Sequence, residues 1–275
     1  MRIIVGLVLS LATGAALATE CKYSAERNFD VDPAGLRTLA FELGSSDLHA
    51  RGVAGLAKIE VRGRACASEE SRLAGLNVEQ RRDGDRLVLV THQAESQTFS
   101  LFGSNYAYID LEVRLPATLP VEVRARSGDA DIADVAALDF SSHSGDLVAH
   151  GIKGDMVVDV HSGDVRAEDI GSLAVRHAGS GDVTARNVHG EVTVGQVGSG
   201  DLVFDDVARS VHVGSVGSGD VTVNHAGGNV AIGSIGSGDV NVSSIDGDFT
   251  VSSAGSGDIH HHGVRGKVEI PTRDD

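Results

Sequence analysis

One tripeptide constrains this chain more than any other feature. Ser-Gly-Asp occurs eight times between Ser127 and Asp258, with its aspartates at Asp129, Asp146, Asp164, Asp182, Asp201, Asp220, Asp239 and Asp258. The steps between them are 17, 18, 18, 19, 19, 19 and 19 residues. So constant a step belongs to a repeat architecture in which each unit stacks only on its neighbours. A β-propeller is excluded, because its blades need roughly 40 residues and four strands. A leucine-rich repeat has a similar length but demands leucine where this chain has valine.

Alignment on the aspartates exposes columns of apolar residues. One position on stand Ala130, Leu147, Val165, Val183, Leu202, Val221, Val240 and Ile259. Three on stand Ile132, Ala149, Ala167, Ala185, Phe204, Val223 and Val242, with His261 breaking the rule in the last repeat. Later repeats add a second alternating set, such as Val192, Val194 and Val197. Alternation with period two is the signature of a half-buried strand. Each repeat is therefore expected to form one coil of two or three short strands. The fold class is all-β: a right-handed parallel β-helix of about 19 residues per coil, since parallel crossovers are right-handed.

The template also fits earlier. Gly44-Ser45-Ser46-Asp47 is followed by Leu48, Ala50, Val53, Ala57 and Ile59 at the same offsets, so a first coil is expected to begin near Leu36. A departure follows over 62–120, with Cys66, a polar stretch from Glu69 to Arg86, and strand-like runs Leu87–Val90 and Tyr106–Val113. This region is expected to cap the N-terminal end, covering strand edges that would otherwise invite aggregation. At the other end Pro271 and charged residues follow Val268-Glu269-Ile270 and blunt that edge. The expected organisation is a signal peptide over 1–18, a first coil and cap over 19–120, and the regular solenoid over 121–275.

The leader rests on Arg2, the apolar run Ile3–Leu11 and the small-x-small site Ala16-Leu17-Ala18, with cleavage expected after Ala18. Export to the periplasm, the outer surface or the exterior follows, with no transmembrane segment after cleavage. The two cysteines, Cys21 and Cys66, then form a disulfide in an oxidising compartment. Glu20 precedes Cys21 where a lipid-attachment motif needs a small residue. A formal net charge of −16 disfavours nucleic acid and anionic headgroups, both of which need a basic footprint.

These residues carry a resemblance. A chain with GSGD-V-x-V turns every 19 residues, preceded by Leu115-Pro116-Ala117-Thr118-Leu119-Pro120-Val121-Glu122-Val123, resembles the bacterial putative-adhesin family of exported β-strand-repeat proteins. The resemblance spans about Leu36 to Ile270. It implies a right-handed β-solenoid on the envelope or outside the cell, and it brings no catalytic residues to transfer.

Stacked aspartates, above all Asp182, Asp201, Asp220 and Asp239, suggest a Ca²⁺ ladder. Calcium β-rolls, however, use a nine-residue period, and hard cations need six or more oxygens. The expected role of Gly128, Gly145, Gly163, Gly181, Gly200, Gly219, Gly238 and Gly257 is positive φ at a turn. Their serine and aspartate neighbours are expected to hydrogen-bond nearby backbone N–H groups. His260 and His262 share an outward face and could hold Zn²⁺ or Cu²⁺, but a third ligand is not evident. His143 and His161, each just before a Ser-Gly-Asp, are expected to be turn residues that stack on adjacent coils. The acidic neighbours Glu168/Asp169 and Asp205/Asp206 point to opposite faces if on a strand, unlike the paired carboxylates of a glycosidase. No Gly-Lys-Ser/Thr marks a phosphate loop. No catalytic residue and no cofactor is implied.

The reading is an exported, non-catalytic β-solenoid acting as an adhesin or envelope scaffold. Its partner is a surface glycan, an envelope protein or itself. The alternatives are a polysaccharide-active enzyme of the pectate-lyase-like type and a Ca²⁺-binding structural solenoid.

Overall fold

A computed structural model describes residues 21–92 and 106–271; the leader expected over 1–18 lies outside the described residues. Two sheets, of 13 and 12 strands, face each other along the whole length. Each coil contributes one strand to each wall, as Val183–Val188 and Val192–Val197 do. Successive coils pair in parallel, with a register shift between Val158 and Asp159 and a constant register from Val183 on: Val183 lies beside Leu202, Leu202 beside Val221, and Val221 beside Val240.

The interior is the apolar set legible in the sequence. Val221, Val223 and Val230 are 0% exposed and Ile232 is 1% exposed. Each such side chain contributes about 1.5–3 kcal/mol by leaving water. The alternation has a break that the chain resolves locally. Offsets one and three point inward, and the next inward residue is at six rather than five, giving the buried/exposed pattern of Val221–Ala226. The residue at offset five takes a left-handed conformation: φ is 58° at Asp169, 53° at Asn187, 57° at Asp206, 59° at His225 and 58° at Ser244. A residue inserted with left-handed φ bends a strand and shifts its pleat by one, so offset six returns to the interior.

The N-terminal region is built differently from the array. Its strands are β1 (Tyr23–Glu26), β2 (Phe29–Val31), β3 (Thr38–Leu43), β4 (Asp47–Val53) and β5 (Ile59–Ala67). A 3-10 helix over Glu70–Gly75 follows, then β6 (Asn77–Asp83), β7 (Arg86–His92), β8 (Ala107–Pro116) and β9 (Val121–Ala125). β3 and β4 form the expected early coil, with Leu39 beside Val121 and Leu48 beside Ala130.

That coil is not the first in space. β7 pairs in parallel with the far side of β3, and β8 with the far side of β4. The chain lays one coil, doubles back beyond it, and then crosses to β9 to start the array. β5 runs antiparallel to β1, β2 and β8, and β6 antiparallel to β7. Antiparallel strands thus close this end. Cys21 and Cys66 are disulfide-bonded, with Cα atoms 5.6 Å apart, and fix the start of the described chain to β5. Arg27 donates to the carbonyls of Leu73 and Leu76 at 2.8 and 2.7 Å, holding the 3-10 helix against the cap.

At the other end no strand among the described residues covers the last coil. The strands Ile259–Val264 and Val268–Glu269 terminate the two sheets, and Val268 and Ile270 are each 37% exposed.

Candidate functional site

The left-handed column shapes a broad groove. Because the strand bends at offset five, Asp169, Asn187, Asp206, His225 and Ser244 are brought to one edge of the solenoid, coil above coil. With His189, Asp246 and Arg265 they line a groove of about 910 Å³ over Val188, Val207 and Ala226. Ala208 and Gly227 keep its rim low.

Acid–base pairs cross the groove from coil to coil. His189 Nε2 lies 2.8 Å from Asp169 Oδ1, His225 Nδ1 3.5 Å from Asp206 Oδ1, and Arg265 Nη1 2.7 Å from Asp246 Oδ1. The His189 and Asp169 side chains are 69% and 50% exposed, so the pair adds little to stability. What these pairs do is set positions. A ligand lying in the groove meets carboxylate acceptors and imidazole or guanidinium donors in turn, above an apolar floor. That suits an extended chain rich in hydroxyl or amide groups.

The opposite corner carries the Ser-Gly-Asp column, and its chemistry is spent on the fold. Each aspartate from Asp129 to Asp239 accepts, through Oδ1, the backbone N–H of the next coil's aspartate. The distances are 2.9 Å from Asp146 to Asp129, 2.8 Å from Asp220 to Asp201 and 2.7 Å from Asp258 to Asp239. Asp182, Asp201, Asp220 and Asp239 all belong to this ladder. The bond reaches the neighbouring coil rather than closing its own turn.

The expected positive φ is not found at the tripeptide glycines: among the described residues the positive-φ glycines are Gly35, Gly55, Gly84, Gly151 and Gly263. The tripeptide glycine is required by closeness instead: a Cβ on Gly219 would overlap the carbonyl oxygen of Gly200, and one on Gly238 that of Gly219.

A second ladder escaped the sequence reading. Ser210 Oγ accepts from Asn229 N at 3.0 Å, Asn229 Oδ1 from Asp248 N at 2.8 Å, and Asp248 Oδ1 from Lys267 N at 2.8 Å. Its signal was a step of 19 residues between short polar side chains at Ser210, Asn229 and Asp248. The groove had a signal too. Asp134, Asp169, Asn187 and Asp206 recur at the offset where alternation fails, and Asp and Asn tolerate left-handed φ better than most residues.

The remaining candidates are dispersed. Asp205 sits on the sheet face, bonded to Arg186 and Asn224, while its neighbour Asp206 turns into the groove. His143 and His161 stack with ring centroids 4.9 Å apart, and His177 lies 6.2 Å from His161. His260 and His262 lie exposed on the last strand of their sheet, beside Asn241 and Ser243. His261 continues the inward column beside Val242, 6.1 Å from the Phe249 ring, but the open end leaves it exposed. Among the described residues no three His, Cys, Asp or Glu side chains of one chain form a group that could hold a metal ion.

The chain is similar to several solved structures at low sequence identity. A putative lipid binding protein from Parabacteroides distasonis ATCC 8503 is 14% identical over 90% of this chain and 97% of its own, with a TM-score of 0.51. A putative adhesin from Bacteroides fragilis NCTC 9343 is 13% identical over 91% and 98%, with a TM-score of 0.38. A putative cell adhesion protein from Clostridium sporogenes ATCC 15579 is 13% identical over 90% and 99%, with a TM-score of 0.30. No curated protein matches the chain. The Toastrack DUF4097 family model matches residues 65–223, from the disulfide cap well into the regular coils, and the chain belongs to that family.

Proposed function

We propose that this chain is an exported, non-catalytic binding solenoid of the cell envelope that holds an extended surface glycan or an envelope protein in its edge groove. One observation carries the reading: a groove of about 910 Å³ in which hydrogen-bonding side chains recur coil by coil over an apolar floor. Export is supported by the leader pattern at Arg2, Ile3–Leu11 and Ala16–Ala18 and by the Cys21–Cys66 disulfide. The acidic character of the chain favours a neutral or basic partner over an anionic surface.

The test is binding of labelled protein to purified cell envelopes, untreated, protease-treated or periodate-treated. Loss on periodate treatment identifies a glycan partner, and loss on proteolysis a protein. The triple variant D206A/H225A/D246A is expected to bind at least tenfold more weakly while keeping its melting temperature within a few degrees. Undiminished binding by that variant would sink the groove as the site. Product release from polygalacturonate would favour the enzyme reading instead.

A further inference from the structure

The open end holds a set of side chains that the groove does not use. The strand Ile259–Val264 reads Ile-His-His-His-Gly-Val, and its outer edge has no strand partner among the described residues. It contains no acid, in a chain of net charge −16, and Arg265 and Lys267 follow it. The inward column is closed at Val240 and Val242, 0% and 3% exposed, and then continues uncovered through His261. Val268 and Ile270 lie at this same end, and the one other exposed large apolar side chain among the described residues is Val148. At the far end the two sheets finish on the antiparallel strands β1 and β6 instead of on a parallel coil, so that end does not continue the coil pattern, whereas a second open end presents the same edge.

We infer that two copies join through these ends about a twofold axis, and that His260 and His262 of both copies together bind a divalent transition-metal ion, with Zn²⁺ the first choice. A twofold axis normal to both sheets maps each edge strand onto itself reversed, and it leaves outward side chains outward. The Ile259–Val264 strands of the two copies then pair antiparallel, extending that wall from one copy into the other. Centred on His261, this pairing sets His260 opposite His262 of the second copy, and His262 opposite its His260. Opposed side chains of an antiparallel pair have Cβ atoms about 4.5–5.5 Å apart. Four imidazoles thus gather on one face, the number of ligands in a tetrahedral zinc site, and imidazole nitrogen is one of zinc's ordinary donors. One chain supplies only two, so the site is incomplete without the second copy.

The rest of the end fits the same occupant. His261 meets its own counterpart between the sheets, and the exposed Val268 and Ile270 are covered. Two acidic molecules repel least where a strand carries no acid, and a dication bound there lowers the repulsion further.

The experiment measures the mass of the purified chain by size-exclusion chromatography with light scattering, in EDTA and during zinc titration. The expected result is a doubling of mass that saturates at one zinc per two chains and reverses in EDTA. H260A/H262A is expected to remain single at every zinc concentration with unchanged circular dichroism and melting temperature, because both side chains are exposed. H261C, placed on the axis, is expected to be oxidised by added diamide to a symmetric disulfide-linked dimer when zinc is present and not in EDTA. Three results would each overturn the inference. These are a single chain throughout, uptake of one zinc per chain without doubling, and a zinc-dependent dimer that survives H260A/H262A.

Discussion

At the scale of single residues, the Ser-Gly-Asp column is a spacing device. Aspartate supplies the oxygen that the next coil's N–H needs, and glycine lets the two backbones come close enough to use it. Gly219→Ala forces a Cβ against the backbone of Gly200, which cannot yield as a side chain would. A loss of about 1–3 kcal/mol, the ordinary cost of overpacking, is expected in urea unfolding. Glycine was legible at these positions, but its reason was not: sequence shows a turn and cannot show how near the adjacent coil lies.

Tyr108 offers a pH test at the same scale. Burial, followed by the nearby Asp110 carboxylate, raises its phenol above the ordinary 10.0. The folded state therefore favours the neutral form. Its contribution to stability is complete below pH 10 and is lost as pH rises through the raised value. Melting curves of Tyr108→Phe should accordingly fall less steeply than those of the parent chain in that alkaline range.

At the scale of strands, inward and outward positions are set by the pleat. Val221 is fully buried and Thr222, one residue on, faces outward. Val221→Asp places an unpaired charge in the core and is expected to abolish the cooperative melting transition. Thr222→Asp should shift the transition by only a few degrees, and equal damage from the two would contradict the assignment. The array was readable because each coil pairs with the segment one repeat away, so a single local pattern reports both strand and partner. The cap was readable only in part. Leu87–Val90 and Tyr106–Val113 showed themselves as strands, yet nothing in them says that they pair outside Thr38–Val53 rather than after it. That arrangement depends on contacts between segments with no shared period. The groove was hidden for a related reason: it arises from a bend, and a bend is visible in sequence only as a missed beat in the alternation at Asp169, Asn187 and Asp206.

At the scale of the whole molecule, the two ends are unlike. One is closed by antiparallel strands and a disulfide spanning 45 residues. A loop of that size constrains the unfolded chain by about 4 kcal/mol on the chain-entropy model. Reduction, or Cys21→Ser, should lower the melting temperature and expose β1 and β5 to proteolysis before the regular coils. Intact protection of β1 after reduction would show that packing alone holds the cap.

The constant register of the coils also governs how the molecule carries load. A pull applied at the open end acts along the solenoid axis, parallel to the hydrogen bonds between coils, so it breaks the bonds of one strand at a time instead of shearing a whole sheet. Each coil released lets out about 19 residues, roughly 65 Å of extended chain in place of a rise near 5 Å. A tether of this kind yields coil by coil, and because the groove reaches Arg265 in the last coil, the first coils to be released are ones that line it.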